Sequence, residues 1–198
     1  MKKILICYYS ESRSTEEVCY NIGDTFKAVY DVTIQPIKMI NNIDAYETII
    51  IAAPVHGMNW HMNAFNFVVE FKAKLIHKEV VYIALASMAY QGREFWQKKV
   101  YKSLEKPSKI VSPIETAIFG GLIGDMPTFF NFLFGISSNV KRDQRDWEMI
   151  EAWKINLMKK LKKSWTIKLF SSYYWLVVTL SNHSFSNLLE TSDICTSN

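Results

Sequence analysis

Short apolar runs alternate along this chain with stretches of helical period. Ile4 to Tyr9 is continuous and rich in branched and aromatic side chains, the pattern of a strand buried on both faces. Glu16 to Ile22 then takes up a helical period with two acids in its opening turn, which predicts a helix. Tyr30 to Ile37 alternates with a period near two, and Pro36 places that second strand close to a sheet edge. Asn41 to Asp44 reads as a turn. Glu47–Ala53 is a third strand, Ala64–Leu75 a helix, Val80–Ala86 a fourth strand and Arg93–Leu104 a helix. Ile110–Gly121 holds a fifth strand that stops at Gly120-Gly121, and Gly124–Val140 is an aromatic insertion. Asp146–Lys163 is an amphipathic helix with Trp147, Ile150, Trp153, Leu157 and Leu161 on one stripe and lysines off it.

Strands that are apolar on both faces and alternate with helices imply a parallel sheet covered on both sides. The expectation is an α/β, doubly wound, five-stranded parallel sheet over residues 1–163, with 164–198 as a C-terminal extension. Ligands of such sheets sit at the carboxyl ends of the strands, beside the first strand. Three loops of unusual content follow strand ends that would line that crevice. The first carries Ser10, Ser12, Ser14 and Thr15 ahead of a helix N-terminus, whose unpaired amides and dipole favour an anion. The plain alternative is an ordinary cap by Ser14 or Thr15. In the second loop, Pro54–His61, Trp60 or His56 can stack on a flat ring, as can Tyr90 in the third, Ser87–Gly92. The plain alternative for Trp60 and His61 is packing at a helix start. A phosphate at one end and a flat ring at the other describe a mononucleotide.

Composition narrows this picture. A chain of 198 residues, 49% apolar and 21% charged, can bury a full core and is not expected to be disordered. Its net charge of +4 permits an anionic ligand or membrane surface without demanding either. Cys7, Cys19 and Cys195 are widely spaced and form no CxxC pair, which argues against a disulfide framework and fits the reducing cytoplasm. The apolar run after Lys2-Lys3 is short and lacks a small-residue cleavage site, so a first strand is expected rather than a signal peptide. His56 and His61 are the one close histidine pair. They straddle a loop–helix junction, and no metal is expected. Leu169–Leu180 is apolar but short of the ~20 residues needed to span a bilayer, and Ser181–Asn198 is expected to be frayed.

The loop Ser10-x-Ser12-x-Ser14-Thr15 resembles the FMN phosphate loop of flavodoxins, Ser/Thr-x-Thr-Gly-x-Thr. Residues 1–163 further resemble the flavodoxin-domain proteins related to menaquinone-dependent protoporphyrinogen oxidase. That resemblance is carried by Ala53–His61 with Ala64-Phe65-x-Phe67-Val68, by Gly120-Gly121 with its insertion, and by Arg142-Asp-Gln-Arg-Asp-Trp147 running on to Trp153. It implies the flavodoxin-like strand order 2-1-3-4-5 and FMN as cofactor. Ser10, Ser12, Ser14 and Thr15 would hold the phosphate. Pro54, Val55, His56, Gly57 and Trp60 would flank one side of the isoalloxazine, and Ser87, Met88 and Ala89 another. The usual glycine of the loop is Arg13 here. Arginine avoids positive φ, so either the loop is distorted and FMN affinity modest, or the guanidinium reaches the phosphate. Glu11, a like charge, is expected to point outward. The activity implied is a porphyrinogen-to-menaquinone oxidoreductase of heme biosynthesis, with no catalytic residue named; a soluble FMN electron carrier is the alternative. The basic balance and Lys159, Lys160, Lys162, Lys163 and Lys168 fit an enzyme touching a membrane through 124–140 or 165–180. No nucleic acid partner is expected. Cys7-x5-Arg13-Ser14 also resembles the phosphate loop of low-molecular-weight tyrosine phosphatases and arsenate reductases, with Cys7 as nucleophile.

Overall fold

Strand β1 (Lys3–Tyr8) lies inside the sheet, and Ile4 to Cys7 are almost wholly buried, as their unbroken apolar run requires. The computed structural model describes residues 1–86, 94–122 and 142–164. After β1 come α1 (Ser14–Phe26), β2 (Asp31–Pro36), β3 (Thr48–His56), β4 (Asn59–Trp60), α2 (Met62–Glu70), α3 (Lys72–Leu75) and β5 (Glu79–Leu85). Then follow α4 (Glu94–Tyr101), α5 (Glu105–Ile110), β6 (Glu115–Phe119) and α6 (147–164). The sheet order is β2-β1-β3-β5-β6, and every neighbour along it is parallel. The short β4 stands off this path and pairs antiparallel with the end of β3. With β4 set aside, the order is the 2-1-3-4-5 that the resemblance implies.

Alternation assigns the two faces. Leu5, Cys7, Ile49, Ile51, Val80 and Tyr82 share one cluster with Ala64, Phe67, Val68, Phe71 and Leu75 from α2, α3 and the residue between them. On the other face Gly23 of α1 lies close against Ile34 and Ile6. The sequence period reads one helix over 64–75, but the chain leaves helical geometry at Phe71 (φ −92°, ψ 10°). The expected helix 93–104 tightens into a 3-10 turn at Lys102–Leu104 before α5 begins.

At the amino ends of the strands, Lys2 pairs with buried Glu79, which also accepts from Thr48 Oγ1 at 2.8 Å. The chain divides into two compact units, Met1–Lys154 and Ile155–Asn198. In the first, Ile150 is fully buried, and Trp153 meets Phe119 edge-on at 5.4 Å. Lys154 is 1% exposed, so this lysine does not lie on the solvated side of its helix. Its ammonium donates to Asn21 Oδ1 (2.8 Å) and Thr25 Oγ1 (2.9 Å) of α1 and pairs with Glu151. Of the second unit, 155–164 continues the helix, with Leu157 and Leu161 buried. The aromatic insertion 124–140 and the tail elements 169–180 and 181–198 lie outside the described residues. Among the described residues, no helix is long and apolar enough to cross a membrane.

Candidate functional site

Beyond β1 the ladder runs one residue further, through Tyr9 N–H to the Ala52 carbonyl at 2.9 Å, and then the chain turns. Arg13 takes up φ 64°, ψ −8°, the left-handed region that favours glycine. Its carbonyl accepts the first helical bond of α1 from Glu17 N at 2.9 Å. No side chain caps this helix, so the amides of its first turn remain open. Ser14 and Thr15 are the first helical residues rather than the cap. Ser10 Oγ and Thr15 Oγ1 are buried with no partner, while the Ser12 and Ser14 hydroxyls share a 3.1 Å bond. A buried polar group left unpaired costs about 1–3 kcal/mol, so both hydroxyls are available to a ligand that offers acceptors here. The first-turn acids are both engaged elsewhere. Glu16 accepts from Tyr8 OH (2.8 Å) and forms an ion pair with Arg13 (3.5 Å), and Glu17 pairs with Arg145 (2.6 Å). Open amides, orphan hydroxyls and withdrawn carboxylates form a cradle for an anion such as a phosphate monoester.

The second loop is a hairpin. Strand β3 runs past its expected end to His56, Gly57 (φ 54°) and Met58 (φ 63°) make the turn, and β4 returns. Two successive positive φ angles define the tight turn that suits strand twist. Pairing of Val55 with Trp60 and His56 with Asn59 settles which side chains turn inward. Trp60 is buried, its indole N–H donates to the Ile83 carbonyl (3.1 Å), and its ring leans on Tyr82 (5.2 Å). Its indole therefore supports the hairpin from below, as in the packing alternative of the sequence reading rather than the ring-stacking one. His56 and Gly57 are exposed at the tip; Pro54 and Val55 are half-buried.

His61 joins the two loops. Its Nδ1 accepts Asn63 N–H (3.2 Å) and so caps α2, and its ring stacks on Tyr9 at 3.9 Å. Glu11 leans from the first loop toward the hairpin. Its carboxylate oxygens lie 3.5 Å from His61 Nε2 and 3.7 Å from His56 Nδ1, and it accepts from Tyr9 OH at 3.2 Å. Burial lowers the His61 pKa, against the opposing pull of Glu11. A cleft of about 410 Å³ opens beside Tyr9, lined by Lys38, Asn41, Asn63, Asn66 and Glu70 among others.

Residues 5–130, well over half of the chain, match the family described as Flavodoxin domain. The chain belongs to the flavodoxin domain family. No curated protein matches it in sequence. Solved structures align at low identity. Oxidised flavodoxin 2 from Bacillus cereus is 20% identical over 67% of this chain and 97% of its own, with a TM-score of 0.49. Two-electron reduced Megasphaera elsdenii flavodoxin is 21% identical over 58% and 84%, at 0.48. A flavoprotein in complex with FMN from Lactobacillus acidophilus is 16% identical over 60% and 93%, at 0.46.

In this flavodoxin domain the first two predicted loops, from Ser10 to Thr15 and from Pro54 to His61, meet at the carboxyl ends of β1 and β3. Ser87, Met88 and Ala89 of the third lie outside the described residues, as do Tyr90 and Gly92. Two alternatives left open by the sequence are decided. Arg13 does not distort the loop, since its backbone adopts the left-handed region and its exposed guanidinium lies on Glu16. Cys7 is no nucleophile, because it sits fully buried inside β1 and burial pushes its thiol pKa well up, which suppresses the thiolate. The phosphatase reading falls with it. Sequence reasoning missed the meeting of Glu11 with His56 and His61, which depends on the β1–β3 pairing and has no signature in local spacing.

Proposed function

We propose that this flavodoxin domain binds FMN and serves as a redox protein. The carrying observation is the pair of orphan hydroxyls, Ser10 and Thr15, buried under an uncapped helix N-terminus. Ser10, Ser12, Ser14 and Thr15 hold the phosphate together with the first-turn amides of α1, and Arg13 supplies backbone shape rather than charge. Pro54, Val55, His56 and Gly57 flank the ring from the hairpin, which Trp60 supports from within, and Ser87, Met88 and Ala89 complete the other side. Bound FMN supplies one- and two-electron chemistry, and the chain binds, orients and shields it. The test is a titration of the purified chain with FMN, read by flavin fluorescence and the visible spectrum. Quenching with a micromolar or tighter dissociation constant is expected. No binding at micromolar flavin overturns the reading.

The finer reading is an oxidoreductase that takes hydrogens from a porphyrinogen and delivers them to menaquinone, on the cytoplasmic side of a membrane. The matches in the second loop and in the Asp146-Trp147 opening of α6 support it. So does the net charge of +4, since a carrier that docks on basic partners is better served by an acidic surface. Anaerobic incubation of the FMN-loaded chain with protoporphyrinogen and a menaquinone analogue should yield porphyrin fluorescence. FMN binding without that product leaves the electron-carrier reading standing alone.

A further inference from the structure

We propose that Glu11, His56 and His61 form a binding site for a borderline divalent metal ion of the zinc type, at the seam between the first loop and the β3–β4 hairpin. Each offers one ligand atom, and these atoms lie within 4.8 Å of one another. Two imidazole nitrogens and a carboxylate oxygen are a donor set that zinc accepts, with a fourth position left open for water or substrate. The proposal does not rest on flavin binding.

The spacing shows a carboxylate gathered by the two imidazoles but not bonded to them. Contacts of 3.5 and 3.7 Å are longer than good hydrogen bonds, and burial favours the neutral form of His61, which weakens any ion pair. Zinc ligands at ~2.0–2.2 Å from the ion stand roughly 3.3–3.6 Å apart, so the cluster must close by about an ångström. Glu11 and His56 are exposed and free to make that movement, while His61 is held by its stack on Tyr9. Ligation through His61 Nε2 has one structural consequence. The ring proton must then sit on Nδ1, which now accepts Asn63 N–H, so metal binding opens the cap of α2. One exposed hydrogen bond is exchanged for a metal–nitrogen bond.

The test uses the full chain stripped by chelator, in phosphate-free buffer, titrated with zinc chloride by calorimetry. Cobalt(II) is the optical probe. One equivalent of zinc should bind at about 10 μM or tighter. E11Q, H56A and H61N should each weaken it by at least about tenfold. Asparagine in H61N can still cap α2, so that variant should keep the wild-type unfolding transition at pH 7.5. The Asn63 amide signal should shift on zinc addition, reporting the opened cap. Absence of stoichiometric uptake overturns the proposal. So does uptake that survives all three substitutions, or uptake that leaves the Asn63 amide unmoved.

Discussion

Arg13 shows how a single residue can break a local rule without breaking the loop. A left-handed conformation costs a side-chain-bearing residue about 1–2 kcal/mol, and glycine recovers only part because it gains freedom when unfolded, about 0.5–1 kcal/mol. The Arg13–Glu16 pair is exposed and adds little. Arg13→Gly should therefore raise stability by roughly 0.5 kcal/mol in urea unfolding, whereas Arg13→Val should lower it. A stability loss for Arg13→Gly would mean the guanidinium matters more than the backbone. Thr15 makes the opposite case. Thr15→Val removes a buried, unpaired hydroxyl at nearly constant volume, and the ligand-free chain should gain about 1 kcal/mol. FMN affinity should fall at least about tenfold in the same variant, because the hydroxyl lacks only a phosphate oxygen. Equal effects on both would make Thr15 a structural residue. His61 sets a pH dependence. Its pKa in the folded chain lies below the ordinary 6.5, chiefly through burial, so between those values the unfolded chain holds the extra proton. That contribution is complete above about pH 6.5 and is lost as pH falls through the folded value. Urea midpoints at pH 7.5 and 5.5 should differ more in the wild type than in His61→Asn. Of these residues, the hydroxyl loop was legible because its signal is local. The Arg13 backbone was not, since a strain of this size is borne by the packing around it.

At the scale of elements, periodicity found each described strand of the main sheet order: β1, β3 and β5 leave unbroken apolar runs because they are buried on both faces, and the half-exposed β2 leaves a period near two. It missed β4 and the extension of β3, since a two-residue strand has no period to read. For that reason the sequence left Trp60 between stacking on a ring and packing. Its inward orientation follows from the Val55–Trp60 pairing, which only the hairpin register reveals. Lys154 was illegible in a different way. A lysine off the apolar stripe is ordinarily solvated, yet here the facing Asn21 and Thr25 of α1 supply the acceptors that let its ammonium be buried. Lys154→Ala should lower stability by about 2–3 kcal/mol, less than breaking a fully buried pair because Glu151 is half exposed and stays hydrated. Lys154→Met keeps the stem's packing and should lose less. A change under about 0.5 kcal/mol in Lys154→Ala, measured by denaturant unfolding, would show that the contact between α6 and α1 does not depend on this lysine.

Among the described residues the candidate chemistry gathers at the carboxyl ends of β1 and β3, two inner strands of one sheet. The loops after β1 and β3, with the hydroxyl cradle, the hairpin and the Glu11–His56–His61 group, all belong to the unit Met1–Lys154. So do the buried contacts beneath them, from Trp60 on Tyr82 to Lys154 on α1. A ligand held by these loops draws its binding energy from groups within that unit, and loop positions are fixed by strand register rather than by distant sequence. Removing 165–198 should therefore leave FMN affinity within about twofold of the full chain, a difference below ~0.5 kcal/mol. The comparison is a paired fluorescence titration of the full chain and a chain ending at Ser164, each first shown by circular dichroism to unfold cooperatively. If the shortened chain folds but no longer binds FMN, the extension contributes directly to the flavin site. If it fails to fold, residues 165–198 belong to the domain itself, and the boundary read at 163/164 is wrong.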